Sequence, residues 1–144
     1  MKRRPTRRPA HRPSHVTLDA MTALALEARK RAHAPYSRFK VGAALKTRAG
    51  EIVTGCNIEN ASYGLTLCAE RVAVFKALSE GLTDFDAIVV AADSKRITAP
   101  CGPCRQILWE FCGDLLVHMV NPRGATRTWR LSRLIPLPFD GKNL

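Results

Sequence analysis

The chain has 144 residues, about the length of one domain. Its composition, 46% apolar and 24% charged, fits a globular domain, and no apolar run approaches the roughly 18 residues of a membrane span. Membrane-spanning and collagen-like classes are therefore excluded. The formal charge of +11, from 23 Lys and Arg against 12 Asp and Glu, raises the question of a nucleic-acid partner.

The excess of basic charge is concentrated at the beginning of the chain. Residues 1–18 hold six basic side chains and no acidic one, so residues 19–144 carry 17 basic against 12 acidic residues, or +5. Residues 1–15 are rich in Pro and Arg and are predicted to form a disordered tail ahead of one domain at 16–144. The tail is interpreted as a solvated segment, with weak polyanion attraction or targeting as lesser alternatives.

The compartment is predicted from signals and cysteines together. The tail lacks the apolar core of a secretory or twin-arginine signal. The five cysteines are an odd number, which argues against a disulfide framework. Reduced thiols are typical of the cytoplasm, which is the predicted location.

Apolar periodicity and turn residues predict three helices and five strands. Thr17 is a capping residue, and the apolar spacing after it predicts a helix from Leu18 to about His33, which Pro35 ends. The later elements are predicted as strands at 41–45 and 52–56 joined by a turn at 47–51, a helix at 68–80, a strand at 87–92, a helix at 105–112, and strands at 115–120 and 125–129. The order αββαβαββ predicts a layered α/β domain with a mixed sheet of five strands.

Three of the cysteines form a candidate metal site. Cys101 and Cys104 have the Cys-x-x-Cys spacing that suits one tetrahedral Zn²⁺, although the pair alone also fits a redox pair or incidental thiols. A structural zinc site needs four protein ligands, and the sequence has no second Cys-x-x-Cys. With Cys68 as a third ligand, one position stays open for water, as in a catalytic site. Cys56 and Cys112 are interpreted as small apolar residues.

Two residues that follow Cys68 complete the candidate chemistry. Cys68 is predicted at a helix start, where backbone amides stabilise a thiolate. Three thiolates on a dication leave a formal charge of −1, and Arg71, one helical turn after Cys68, is predicted to offset it. Glu70 is predicted to take the proton of zinc-bound water, whose pKa falls to about 7. The pattern indicates a hydrolase-type site.

Four stretches of the sequence match one known family in order and spacing. They are APYSRFKVGAAL at 34–45, GCNIENASY at 55–63, CAER at 68–71 and PCGPCRQ at 100–106. Over about residues 17–140 the chain resembles the small homotetrameric cytidine deaminases. Two positions depart from the family pattern, because Pro103 stands where Ala is frequent and Arg133 where an acidic residue is usual.

The resemblance implies a three-layer α/β/α fold and a hydrolase of pyrimidine salvage. Cytidine and 2′-deoxycytidine would be converted to uridine and 2′-deoxyuridine with release of ammonia. One Zn²⁺ per chain would be held by Cys68, Cys101 and Cys104, and zinc-bound hydroxide would attack C4 of the base. Glu70 would carry the water's proton to N3 and then to the departing amino group.

The resemblance also implies how the nucleoside is bound. Asn57 and Glu59 match groups that hydrogen-bond the ribose 3′-hydroxyl, and their spacing lets them converge on one hydroxyl. Phe39 matches the aromatic residue that lines the nucleoside pocket. Backbone groups at Ala61 and Ala99 match those that read the edge of the base. The implied ligand is a free nucleoside, because a polynucleotide has an esterified 3′-oxygen.

Phe139 matches a ring that reaches the site of a neighbouring subunit. The resemblance therefore implies a homotetramer with sites completed across subunits, and neither a specific nucleic-acid partner nor a membrane. Three alternatives are weighed beside it. The first is the same chemistry on the antibiotic blasticidin S, which Asn57 and Glu59 disfavour. The second is a nucleic-acid-binding or editing protein, and the third is a structural zinc module without catalysis.

Overall fold

The computed structural model describes residues 15–144. Residues 1–14 of the predicted basic tail therefore lie outside the described range. The helices are α1 (Leu18–Lys30), α2 (Ala69–Ser79), α3 (Gly102–Cys112) and the short α4 (Leu131–Leu134), and the strands are β1 (Val41–Thr47), β2 (Ile52–Cys56), β3 (Phe85–Ala92), β4 (Leu116–Val120) and β5 (Thr126–Arg130). Within residues 15–144, no helix combines the length and the apolar character needed to cross a membrane.

The strands form one mixed sheet in the order β2-β1-β3-β4-β5. β3 and β4 are parallel, whereas the other neighbours are antiparallel. The hairpin between β1 and β2 turns at Gly50, whose φ of 95° lies in the left-handed region. The predicted sheet is thus confirmed.

Helices cover both faces of the sheet and give the three-layer α/β/α arrangement. On one face, Val89 of β3 packs in a cluster with Met21 of α1. On the other face, Ile88 packs in a cluster with Val74 of α2 and Leu108 of α3. β3 is apolar along most of its length because both of its faces are buried.

Two glycines let helices lie directly on the sheet. A Cβ atom on Gly42 of β1 would stand 2.0 Å from the carbonyl oxygen of Ala25 in α1. A Cβ atom on Gly55 of β2 would stand 2.5 Å from the carbonyl oxygen of Ala69 in α2. Any side chain at these positions would push the helix away, so Gly55 sets the position of the first turn of α2.

Two helix boundaries differ from the sequence expectation. α1 ends at Lys30 and not near His33, because the His33 amide donates to the carbonyl oxygen of Asn57 at 3.0 Å and pairs with the chain that follows β2. α3 begins at Gly102, earlier than predicted, with Pro103 in its first turn. A proline is accommodated there because the first amides of a helix have no intrahelical partner.

Candidate active site

The three predicted cysteine ligands lie at the starts of two neighbouring helices. Cys68 is the N-cap residue of α2 and Cys101 is the N-cap residue of α3. Neither thiol caps its own helix, so both are free to face a shared centre. Cys104 lies in the first turn of α3 and is fully buried. The N-terminus of a helix is a favourable place for an anionic ligand such as a thiolate.

The distances between the sulfurs suit a zinc ion. Cys101 Sγ lies 3.8 Å from Cys68 Sγ and 3.4 Å from Cys104 Sγ. All three sulfurs lie within 4.8 Å of one another, and no other such group of His, Cys, Asp or Glu occurs among residues 15–144. A tetrahedron with Zn–S bonds of about 2.3 Å has edges of roughly 3.8 Å, so these three sulfurs could hold one Zn²⁺ and would leave its fourth position for water.

The remaining two cysteines lie outside this group. Cys56 ends β2, and Cys112 packs partly buried against the main core. Burial raises the pKa of Cys112 to about 12, which keeps it a neutral thiol. Their placement agrees with the structural role predicted for them.

Cys68 is a cluster thiol whose pKa is lowered. The neighbouring Cys104 thiol is the largest cause, and Arg71 and Cys101 add to it, so that the pKa of Cys68 falls to about 5. Arg71 Nη2 lies 3.7 Å from Cys68 Sγ and also donates to the carbonyl oxygen of Thr66 at 2.9 Å. The guanidinium is thus fixed beside the thiolate, where the sequence analysis places it.

Glu70 lies in the first turn of α2 and is only 4% exposed. Burial is the largest cause that raises its pKa, to about 7, and the negative charge of Cys68 acts in the same direction. A carboxyl group that titrates near neutrality can both accept and release a proton. Its position, burial and pKa therefore suit a general acid–base.

A cavity of about 150 Å³ opens between the metal cluster and the start of β1. Cys68 and Glu70 contribute to its wall together with three residues of the predicted substrate set, Phe39, Asn57 and Ala99. The structure therefore brings the candidate proton carrier and half of the predicted nucleoside contacts to one place.

The other predicted substrate residues lie outside this wall. Glu59 lines an adjacent cavity of about 360 Å³, and Thr66 contributes to both cavities. Ala61 is exposed. The Phe139 side chain is exposed as well, and the Phe139 carbonyl oxygen accepts a hydrogen bond from Gln106 Nε2 at 2.9 Å.

Two residues at the site were missed by the sequence analysis. Thr66 lines both cavities, but a lone threonine in a turn-rich stretch carries no distinguishing signal. Ser37 donates to the Glu59 carboxylate and lies inside a stretch that matches the family, so position within that motif could have drawn attention to it.

Comparisons with known proteins agree with this geometry. The family model for the cytidine and deoxycytidylate deaminase zinc-binding region matches residues 16–119. A cytidine deaminase of Halalkalibacterium halodurans is 50% identical over 121 residues, covering 83% of this chain and 92% of the relative. One of Sporosarcina psychrophila is 43% identical over 128 residues, covering 88% and 94%. The crystal structure of cytidine deaminase from Burkholderia pseudomallei is 46% identical, with a TM-score of 0.84 over 86% of this chain and all of that one.

Proposed function

The chain belongs to the family of cytidine and deoxycytidylate deaminases, and from this membership we propose that it hydrolyses cytidine and 2′-deoxycytidine to uridine and 2′-deoxyuridine with release of ammonia. The observation that carries the proposal is the grouping of three cysteine sulfurs beside one buried carboxyl, Glu70, in a shared cavity. Such a reaction belongs to pyrimidine salvage.

Cys68, Cys101 and Cys104 are the residues that would hold one Zn²⁺ per chain. When bound, Zn²⁺ supplies a Lewis acid that lowers the pKa of a coordinated water to about 7. Arg71 supports the ligand set, because its guanidinium donates to Cys68 and offsets negative charge that three thiolates bring together.

Glu70 moves the protons of the reaction. Its carboxylate takes a proton from the water that attacks C4 of cytosine and delivers it to N3 of the base. It then passes the second proton of that water to the amino group at C4, which leaves as ammonia when the tetrahedral carbon collapses. Burial of Glu70 keeps bulk water from exchanging these protons.

The nucleoside is proposed to lie between Glu70 and the loop before β1. Phe39 forms an apolar wall for the base, and backbone groups at Ala99 and Ala61 read its edge. The ribose 3′-hydroxyl is bound by Asn57 and Glu59. Support comes from the shared cavity wall of Phe39, Asn57 and Ala99 and from the position of Glu59 in the adjoining cavity.

The active form is proposed to be a cytoplasmic homotetramer in which Phe139 completes the site of a neighbouring copy. Apolar side chains lie open to solvent in the single chain: Tyr63, which lines the cavity of Glu59, is 74% exposed, and Phe139 is 61% exposed. A second copy would bury this surface. A reducing compartment suits the chain because all five cysteines are free.

The function is tested by cytidine turnover, zinc content and light-scattering mass on one purified preparation. We expect loss of the cytidine absorbance, about one zinc per chain and the mass of four chains. Blasticidin S and single-stranded polycytidylate serve as competing substrates. Turnover of either at a rate above that of cytidine would contradict the proposal.

A further inference from the structure

The loop at residues 34–40, called here the pocket loop, leads into β1 and carries Phe39 to the wall of the cavity that Glu70 also lines. Residues 35–40 of this loop are exposed, so the hydrophobic core does not hold them. Polar contacts with the chain after β2 hold the loop instead, and one serine side chain links two of them.

Ser37 contacts both Glu59 and Phe39. Its hydroxyl donates to Glu59 Oε1 and accepts from the backbone amide of Phe39 at 3.0 Å. Glu59 Oε2 also accepts from the amides of Tyr36 and Ser37, at 2.9 and 3.2 Å. The bond from the Ser37 hydroxyl is the main cause that holds the pKa of Glu59 below its ordinary value. Glu59 is thus an anion, and the pocket loop fixes the orientation of its carboxylate.

Asn57 holds the other side of Phe39. Asn57 Nδ2 donates to the carbonyl oxygen of Phe39 at 2.8 Å, and its Oδ1 accepts from the amide of Val41 at 2.8 Å. Both polar backbone groups of Phe39 are therefore satisfied, one by Asn57 and one by Ser37. Arg38, between Ser37 and Phe39 in the chain, has a φ of 59°. Non-glycine residues rarely adopt this left-handed conformation unless neighbouring contacts impose it.

We propose that Ser37 is a positioning residue for nucleoside binding, which aligns the Glu59 carboxylate and the Phe39 ring through one hydroxyl. This inference rests on the proposed function, because it assigns Ser37 to the side of the site that recognises the sugar and base. Ser37 lines the cavity that holds Glu59 and does not line the cavity of Glu70, on which the proton chemistry depends. Loss of the hydroxyl therefore weakens substrate binding and leaves the chemical step intact.

Ser37→Ala tests the proposal against a matched control. Ser132 makes the same pair of bonds to a carboxylate elsewhere, with its amide on Asp114 Oδ1 at 2.8 Å and its hydroxyl on Oδ2 at 3.0 Å. We expect Ser37→Ala to raise KM for cytidine about tenfold and to change kcat by less than about twofold, because a charge-assisted hydrogen bond is lost. Ser132→Ala is expected to leave both constants near wild type, and Ser37→Thr, which retains a hydroxyl, to restore KM.

Discrimination against 3′-deoxycytidine provides a readout that a merely structural serine would not move. If Ser37 aligns Glu59 on the 3′-hydroxyl, the preference for cytidine over 3′-deoxycytidine shrinks in Ser37→Ala. An unchanged preference, a fall of kcat at constant KM, or constants equal to those of Ser132→Ala would each overturn the inference.

Amide hydrogen exchange at Phe39 separates this inference from the proposed function. Exchange is expected to be about tenfold faster in Ser37→Ala than in wild type and unchanged in Ser132→Ala, since only the first variant loses the acceptor of that amide. Unchanged exchange would overturn the link between Ser37 and Phe39. A zinc-loaded wild type without cytidine turnover would overturn the proposed function and the substrate part of this inference, even where exchange behaves as expected.

Discussion

The two sides of the cavity are built in different ways. The metal side, formed by Cys68, Glu70, Cys101 and Cys104, sits on two helices that pack against the sheet, and Glu70 and Cys104 are buried. The nucleoside side, formed by residues 34–41 and 57–61, lies mostly exposed and is held by hydrogen bonds. The metal side is therefore held by the packed core, while the nucleoside side leaves apolar side chains such as Tyr36 and Phe39 exposed to solvent.

In the proposed function, the two sides serve different parts of the reaction. Proton transfer needs groups held within a fraction of an ångström, which a packed core provides. Recognition of the sugar and base depends on hydrogen bonds that a change in one side chain can remove. Changes on the metal side should therefore alter zinc content and kcat, and changes on the nucleoside side should alter KM.

The largest effect is expected from Cys104→Ala. Removal of the buried ligand leaves two thiols for the metal, so the variant should lose zinc, and turnover should fall by more than about 10⁴-fold. Cys112→Ala is the matched control, since Cys112 lies outside the sulfur cluster. Metal analysis and cytidine turnover measure both variants. Zinc retained at one per chain in Cys104→Ala would remove this cysteine from the ligand set.

A smaller effect is expected where the sheet supports the metal side. Gly55→Ala and Gly42→Ala each place a methyl group against a helix backbone, and each should lower the free energy of unfolding by about 3 kcal/mol. Only Gly55 lies under α2, so only Gly55→Ala displaces Glu70 and should lower kcat of the folded enzyme about tenfold. Denaturant unfolding and kcat are the measurements. Equal kcat values in both variants would contradict a support role for Gly55.

Backbone strain on the nucleoside side predicts a stabilising substitution. Arg38→Gly removes the backbone strain of the left-handed conformation, but it also makes the unfolded chain more flexible. The net result should be a rise of about 0.5 kcal/mol in the free energy of unfolding. Arg31→Gly, at a residue with a φ of −87°, should lower it instead. A loss of stability in Arg38→Gly would show that its side chain contributes more than its backbone costs.

The smallest effect is expected from deletion of residues 1–15. The described lining residues of the two cavities all lie between Tyr36 and Cys101, so kcat/KM for cytidine should remain within about twofold of wild type. Any binding of the full chain to polyanions should fall steeply with salt and disappear on deletion. A tenfold loss of cytidine turnover would assign the tail a role in the site.

Much of the metal side was predictable from the sequence. Helix starts, cysteine spacing and the neighbouring Glu70 follow local patterns, and the structure brings Cys68, Cys101 and Cys104 together as predicted. The nucleoside side was less predictable. Spacing lets Asn57 and Glu59 converge on one hydroxyl, but it does not predict that the two residues line adjoining cavities.

The reason is that the pocket loop depends on contacts between distant positions. Ser37 and Glu59 are 22 residues apart, and no periodicity of the chain encodes their bond. The left-handed backbone at Arg38 follows from those contacts as well. Apolar spacing reports which residues are buried, but it does not report the polar bonds of an exposed loop.

The zinc content and cytidine turnover of Glu70→Gln test the central claim most directly. Gln keeps the size of Glu70 and removes its capacity to carry a proton, while the three sulfurs stay in place. We predict about one zinc per chain, as in wild type, with turnover lower by about 10³- to 10⁴-fold. Loss of zinc from the variant, or turnover close to that of wild type, would contradict the assignment of proton transfer to Glu70.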